Sequence, residues 1–282
     1  FFVHGKSLYE TGGAFNAKLG AAYEAYMKHV ASHGYIAVFV RVEQGLLDAD
    51  HARMADDLLA ATKKLFDVVS VANNSQVVFA GHSMGAKVAL LAAAKTLAQD
   101  SKNAWVNPRA VLAFSPSNEK PPFGGYTNAV DSLKKISADA NVSFTFVQPE
   151  DDAIAPYKDP AKPNAVALYD ALQVKHKQII LLHGTGKNDP NPPSSPELHD
   201  DHAAALTVVG KPGGVADFAM PASYLDALDW YGFWKITVGA MDYHFKKGDK
   251  KWAYGALRTH GGVLPKGKVV KHEVFKEQWK KP

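Results

Sequence analysis

Short apolar runs alternate along most of the chain with longer stretches in which apolar residues recur every three or four positions. The runs are Phe1 to Val3, Tyr35 to Val42, Gln76 to Ala80, Ala110 to Phe114, Val142 to Val147 and Gln178 to Leu182. Each is short enough for a strand and lacks a polar face, which predicts strands buried on both sides. Between them, Ala14 to Ala31 sets Phe15, Leu19, Tyr23, Tyr26, Met27 and Val30 on one helical face. Ala52 to Val69 does the same with Met54, Leu58, Leu59, Leu65 and Phe66. Ala86 to Ala98, Thr127 to Ile136 and Ala165 to Leu172 complete the helical stretches. Strands alternating with helices predict an α/β domain, a mainly parallel sheet with helices on both faces, over residues 1–215. The pattern then changes. Ala222 to Phe245 is rich in aromatic residues and predicts one long helix or two, docked on the sheet and followed by a basic stretch; residues 216–282 are therefore expected as a helical, aromatic and basic extension. The one long loop, Gly184 to Glu197, is full of Pro, Asn, Gly and Ser. Loops of that length usually carry function or move.

Composition narrows the class of protein. Hydrophobic residues at 46% and charged residues at 21% are the proportions of a soluble globular chain. No apolar run is long enough to span a bilayer. The net charge of +4 is uneven, because Lys246 to Pro282 holds eleven Lys or Arg against three acids. That tail reads as a solvated surface, with an anionic partner as the sharper alternative; nucleic acid is not expected. The absence of cysteine excludes disulfides, thiolate catalysis and cysteine-ligated metal. It does not fix a compartment. The chain begins at Phe1, inside what reads as a strand, so an upstream segment is expected.

The chemistry concentrates at Gly81-His82-Ser83-Met84-Gly85, which joins a predicted strand to a predicted helix. That is the context of a G-x-S-x-G nucleophile elbow, in which a strained turn lifts the serine hydroxyl clear of the sheet. A serine hydroxyl needs an adjacent base, and the base needs an orienting carboxylate. Both are expected at carboxyl ends of later strands. The strand ending at Val147 runs into Glu150-Asp151-Asp152, and Asp152, just before a small apolar turn, is the chosen acid over Asp151 and Glu150. Past the last strand lie His183, His199 and His202. His183 falls at the strand end and reads as a buried histidine bonded to backbone. His202 is chosen as base, with His199 as runner-up, because small residues follow it. The two histidines with flanking aspartates also fit a metal, but no third clustered ligand accompanies them, and neither metal nor cofactor is expected. An oxyanion hole would take the Met84 amide and, after the first strand, the Lys6 amide, with Ser7 behind it. His82 reads as a packing residue beside the site.

With Val3-His4-Gly5, Ser32-His33-Gly34-Tyr35, the Gly81–Gly85 elbow and Glu150 to Pro156, the chain resembles the α/β-hydrolase superfamily over about residues 1 to 205. Within it, it is most similar to compact, lidless serine esterases: dienelactone-hydrolase-like enzymes, cutinases and bacterial polyester (PET) hydrolases. The resemblance implies the α/β-hydrolase fold and a triad in the chain order Ser83, Asp152, His202. It departs from the polyester hydrolases in having no cysteine, and in carrying Ser115-Pro116-Ser117-Asn118 where they often place a tryptophan. Only 26 residues, Pro116 to Asn141, separate the fourth apolar strand from the acid strand, leaving little material for a cap. The expectation is a serine carboxylic ester hydrolase acting through an acyl-enzyme on small or polymeric esters. The alternatives are a non-catalytic binding module of the same fold, or a thioesterase, acyltransferase or peptidase using the same triad.

Overall fold

The computed structural model describes residues 1–5, 21–42, 50–98, 102–119, 126–159, 161, 164–184, 227–263, 267 and 269–279. In chain order the strands of the main sheet are β1 (Phe2–Val3), β2 (Phe39–Val40), β3 (Val77–His82), β4 (Pro108–Phe114), β5 (Ser143–Pro149), β6 (His176–Leu182) and β9 (Glu273–Trp279). Their order across the sheet is β2-β1-β3-β4-β5-β6-β9. The first six are mutually parallel, and β9 runs antiparallel to β6. A separate hairpin pairs β7 (His260–Val263) with β8 (Val269–Lys271). The helices are α1 (Ala21–Ser32), α2 (His51–Val68), α3 (Met84–Leu97), α4 (Ala129–Leu133), α5 (Ala165–Ala171) and α6 (Lys235–Phe245).

The unbroken apolar runs are explained by two cores, one on each face of the sheet. Side chains alternate between them along every central strand. Phe79, Val111, Phe144, Phe146, Ile179 and Leu181 face the core beneath α2 and α3. Their neighbours Val78, Ala80, Leu112, Phe114, Val147, Ile180 and Leu182 face the core beneath α1 and α6. α2 starts where Asp50 accepts a hydrogen bond from the Arg53 amide at 3.0 Å, a side-chain N-cap. α1 stops ahead of Gly34, whose φ of +82° suits a glycine.

The C-terminal stretch differs from a purely helical extension. Its helix opens with a π-helical segment, Asp229–Trp234. Phe233 and Trp234 are buried in the same core as Phe2, Tyr23 and Phe114. The chain then continues into three strands, the last of which completes the edge of the main sheet. Much of the basic charge is used internally. Lys276 pairs with Asp170 at 2.8 Å and Arg258 with Glu277 at 2.5 Å. Lys250 lies over the Trp279 ring at 4.1 Å. No helix among the described residues is long and apolar enough to cross a membrane.

Candidate active site

Ser83 sits between β3 and α3 with φ 56° and ψ −121°, a left-handed conformation that costs a residue with a side chain on the order of 1–3 kcal/mol. The flanking glycines make the turn possible. A Cβ on Gly81 would lie 2.3 Å from the Gly85 carbonyl oxygen, and one on Gly85 would lie 2.2 Å from the Val3 carbonyl oxygen. Both obstacles are backbone and cannot swing aside. The Ser83 amide donates to the Phe114 carbonyl at 2.8 Å, and the Ser83 carbonyl accepts from Ser117 at 3.3 Å, so the elbow is tied to the end of β4. Met84 is the first residue of α3. Amides at that position have no acceptor within their own helix.

Asp152 follows β5 and is 3% exposed. Its Oδ1 accepts from the amides of Ile154 at 3.0 Å and Ala155 at 2.7 Å, and its Oδ2 accepts from Gln148 Nε2 at 2.8 Å. These donors come from two directions and fix the carboxyl plane. The other two acids of the loop are exposed. Glu150 Oε2 lies 2.6 Å from His183 Nδ1, and Glu273 lies 3.6 Å from that ring's other nitrogen. The expectation of a buried, backbone-bonded His183 is therefore corrected: it sits at the sheet's rim, where β9 brings a second carboxylate to it. Lys6, Ser7, His199 and His202, and the loop from 185 onward, lie outside the described residues. Among the described residues no cluster of His, Asp and Glu could hold a metal.

The strand order reverses between β1 and β3: from β1 the chain moves outward to β2, then returns to place β3 on the other flank. Ligands of open parallel sheets bind at such a switch point, outside the carboxyl ends of the strands. Here those ends carry Gly5 and Ser83, which approach so closely that a Cβ on Gly5 would lie 3.2 Å from Ser83 Cβ. A parallel sheet wrapped on both faces, with a strained serine elbow at its switch point, settles the architecture. The fold is that of the α/β-hydrolases. Residues 8–124 match the lipase (class 3) family, which supports ester hydrolysis in general. No curated protein matches the sequence. Among solved structures, the chain is similar to a Xanthomonas campestris protein assigned to the alpha/beta hydrolase superfamily, at 17% identity and TM-score 0.37 over 64% of this chain and 85% of that one. It is similar to a Lactobacillus plantarum protein assigned as a cell surface hydrolase, at 14% identity and TM-score 0.41 over 64% and 80%. A monoacylglycerol lipase from Paleococcus ferrophilus gives 12% identity and TM-score 0.38 over 64% and 83%. At these scores the likenesses carry no argument, and the fold rests on strand order and elbow.

Three residues of this candidate site escape a reading of the sequence. Gln148 ends a strand that is otherwise read as core, and only its polarity marks it. Lys87, one turn into α3, is a fully buried lysine in an alanine-rich helix. Tyr23 falls on the periodic core face of α1 and gives no signal beyond that. Its hydroxyl nevertheless accepts from the Gly5 amide at 3.1 Å and lies 2.9 Å from His82 Nδ1.

Proposed function

We propose that the protein is a serine carboxylic ester hydrolase working through an acyl-enzyme. The observation that carries the proposal is the strained Ser83 elbow at the switch point. In this reading His202 takes the proton of Ser83 Oγ as that oxygen attacks the ester carbonyl, and Asp152 orients the imidazole and stabilises its charged form. The amides of Met84 and Lys6 receive the negative charge that develops on the carbonyl oxygen. His202 then protonates the departing alcohol, and water repeats the sequence to release the acid. The triple anchoring of Asp152 supports its role, since an orienting carboxylate must itself be held still. The class 3 lipase match supports the choice of ester over other acyl substrates. The short span between β4 and β5 favours an open site that admits bulky or polymeric esters such as polyesters.

Ser83→Ala should lose all hydrolysis of p-nitrophenyl butyrate while keeping the far-UV circular dichroism of the parent. His202→Ala should fall at least as far as about 10³-fold in kcat, and His199→Ala by less than tenfold. Full activity in Ser83→Ala would overturn the mechanism, and the opposite ranking of the two histidines would reassign the base. Release of soluble acid from an insoluble polyester film tests the bulky-substrate reading separately.

A further inference from the structure

Both polar groups of Gly5, the residue that faces Ser83, are held by buried side chains, one from α1 and one from the residue just before it. Its N–H donates to the Tyr23 hydroxyl of α1. Its carbonyl oxygen lies 3.0 Å from His4 Nδ1. The direction of each bond follows from proton bookkeeping. The Val42 amide donates to His4 Nε2 at 3.3 Å, so in the neutral ring the proton sits on Nδ1 and is donated to Gly5. Tyr23 has one hydroxyl proton, and its oxygen accepts from Gly5, so that proton goes to His82 Nδ1, 2.9 Å away. His4 and Tyr23 are fully buried and His82 is 1% exposed. Burial lowers the His4 pKa and raises that of Tyr23, which keeps both in the neutral forms this pattern requires.

We propose that Tyr23 and His4 are positioning residues, which clamp Gly5 beside Ser83 and thereby hold the nucleophile elbow against the end of β1. The inference rests on the hydrolytic reading above. The Tyr23 hydroxyl ties Gly5 to the second position of the elbow. Gly5 and the elbow are thus referenced to each other through the Tyr23 side chain rather than through chain continuity. Pre-set donors at a developing oxyanion are worth about 10²–10³-fold in kcat each, and Met84, whose amide takes that role in this reading, directly follows Ser83, so loosening the elbow should lower kcat and leave ground-state binding largely alone.

Tyr23→Phe tests this, with Tyr26→Phe as its control. Both tyrosines lie on α1, are buried and pack on Phe2, with ring centroids 4.8 and 5.0 Å away. The Tyr26 hydroxyl meets Thr237 instead, at 3.2 Å. Tyr23→Phe should lower kcat on p-nitrophenyl butyrate at least tenfold with KM within twofold, whereas Tyr26→Phe should stay within twofold in both. In amide hydrogen exchange followed by NMR, the Gly5 amide should exchange at least tenfold faster in Tyr23→Phe and unchanged in Tyr26→Phe. Unchanged Gly5 exchange in Tyr23→Phe would overturn the clamp. Faster exchange with unchanged kcat, or equal losses in the two variants, would overturn the positioning role. An inactive parent protein would instead overturn the hydrolytic reading, while the exchange experiment would still decide whether the clamp exists.

Discussion

Lys87 offers a quantitative test of how tightly the helix behind the nucleophile is packed. Its side chain is fully buried, with Nζ 3.4 Å from the Glu119 carbonyl oxygen and 4.6 Å from the centre of the Tyr126 ring. Burial lowers its pKa from 10.5 to about 8. An unfolded chain would hold this proton up to pH 10.5, the folded protein only to about 8. Between those values the unfolded state binds more protons, so this residue makes stability rise with pH across that window; below it the cost is constant. At about 1.4 kcal/mol per pH unit, the cost of keeping the ammonium buried at pH 7 is about 3 kcal/mol. Replacing it by methionine keeps the stem and removes the charge. The variant forfeits one long hydrogen bond and one cation–π contact, together about 1–2 kcal/mol. Lys87→Met should therefore be more stable than the parent by about 1–2 kcal/mol at pH 7.

Urea unfolding followed by circular dichroism, on parent and variant at pH 7 and pH 10, measures the difference. Other buried lysines cancel in that comparison; Lys235, also lowered to about 8, is present in both proteins. The parent should gain on the variant by most of about 3 kcal/mol between the two pH values and end the more stable of the pair. A variant less stable than the parent at pH 7, or a gap that does not move with pH, would refute the reasoning.

Gly85→Ala should be insoluble, or lose more than about 10 °C of melting temperature together with its activity, because the new Cβ meets the Val3 and His4 carbonyl oxygens at 2.2 and 2.4 Å; a soluble, fully active variant in calorimetry and ester assay would contradict the elbow geometry. His272 is 4% exposed, and neither ring nitrogen has a hydrogen-bond partner among the described residues. Its pKa is lowered from 6.5 to about 3, chiefly by burial and then by the charges of Lys235, His183 and His260. The unfolded state then binds the extra proton first, so stability is full above pH 6.5 and falls as pH drops toward 3, by up to about 1.4 kcal/mol per pH unit. His272→Leu should flatten that acid limb in urea titrations between pH 7 and 4, and an unaltered slope would exclude this histidine as its source.

The parallel sheet was legible because its strands are apolar on both faces and its helices keep one apolar stripe, both properties of short windows. The elbow was legible for the same reason: glycine, serine and glycine at fixed spacing between a strand and a helix encode a local collision that only glycine avoids. β9 was not. Glu273-Val274-Phe275-Lys276-Glu277-Gln278-Trp279 alternates too weakly to stand out among lysines, because an edge strand has one neighbour and half its surface in water. Its partner, β6, lies far back in the sequence, and no local pattern announces that pairing. His183 was misread for a related reason. Its position at the strand end was right, but Glu273, which helps hold it at the rim, belongs to that unseen edge.

The Gly5 clamp marks a deeper limit, since its residues look like packing when taken singly. Tyr23 belongs to the apolar face of α1, His4 follows a strand, and His82 fills the variable position of the elbow. Each becomes a site residue only through contacts among α1, β1 and β3, which no single window contains. The candidate site is therefore conditional on the fold in a specific way. Gly85 must press against the backbone of β1, Gly5 must face Ser83, and α1 must seat its tyrosine between them. None of these can be met before the switch point has closed. Elbow strain of a few kcal/mol is tolerable because the two cores that pin β1 and β3 together bury large side chains worth about 1.5–3 kcal/mol each.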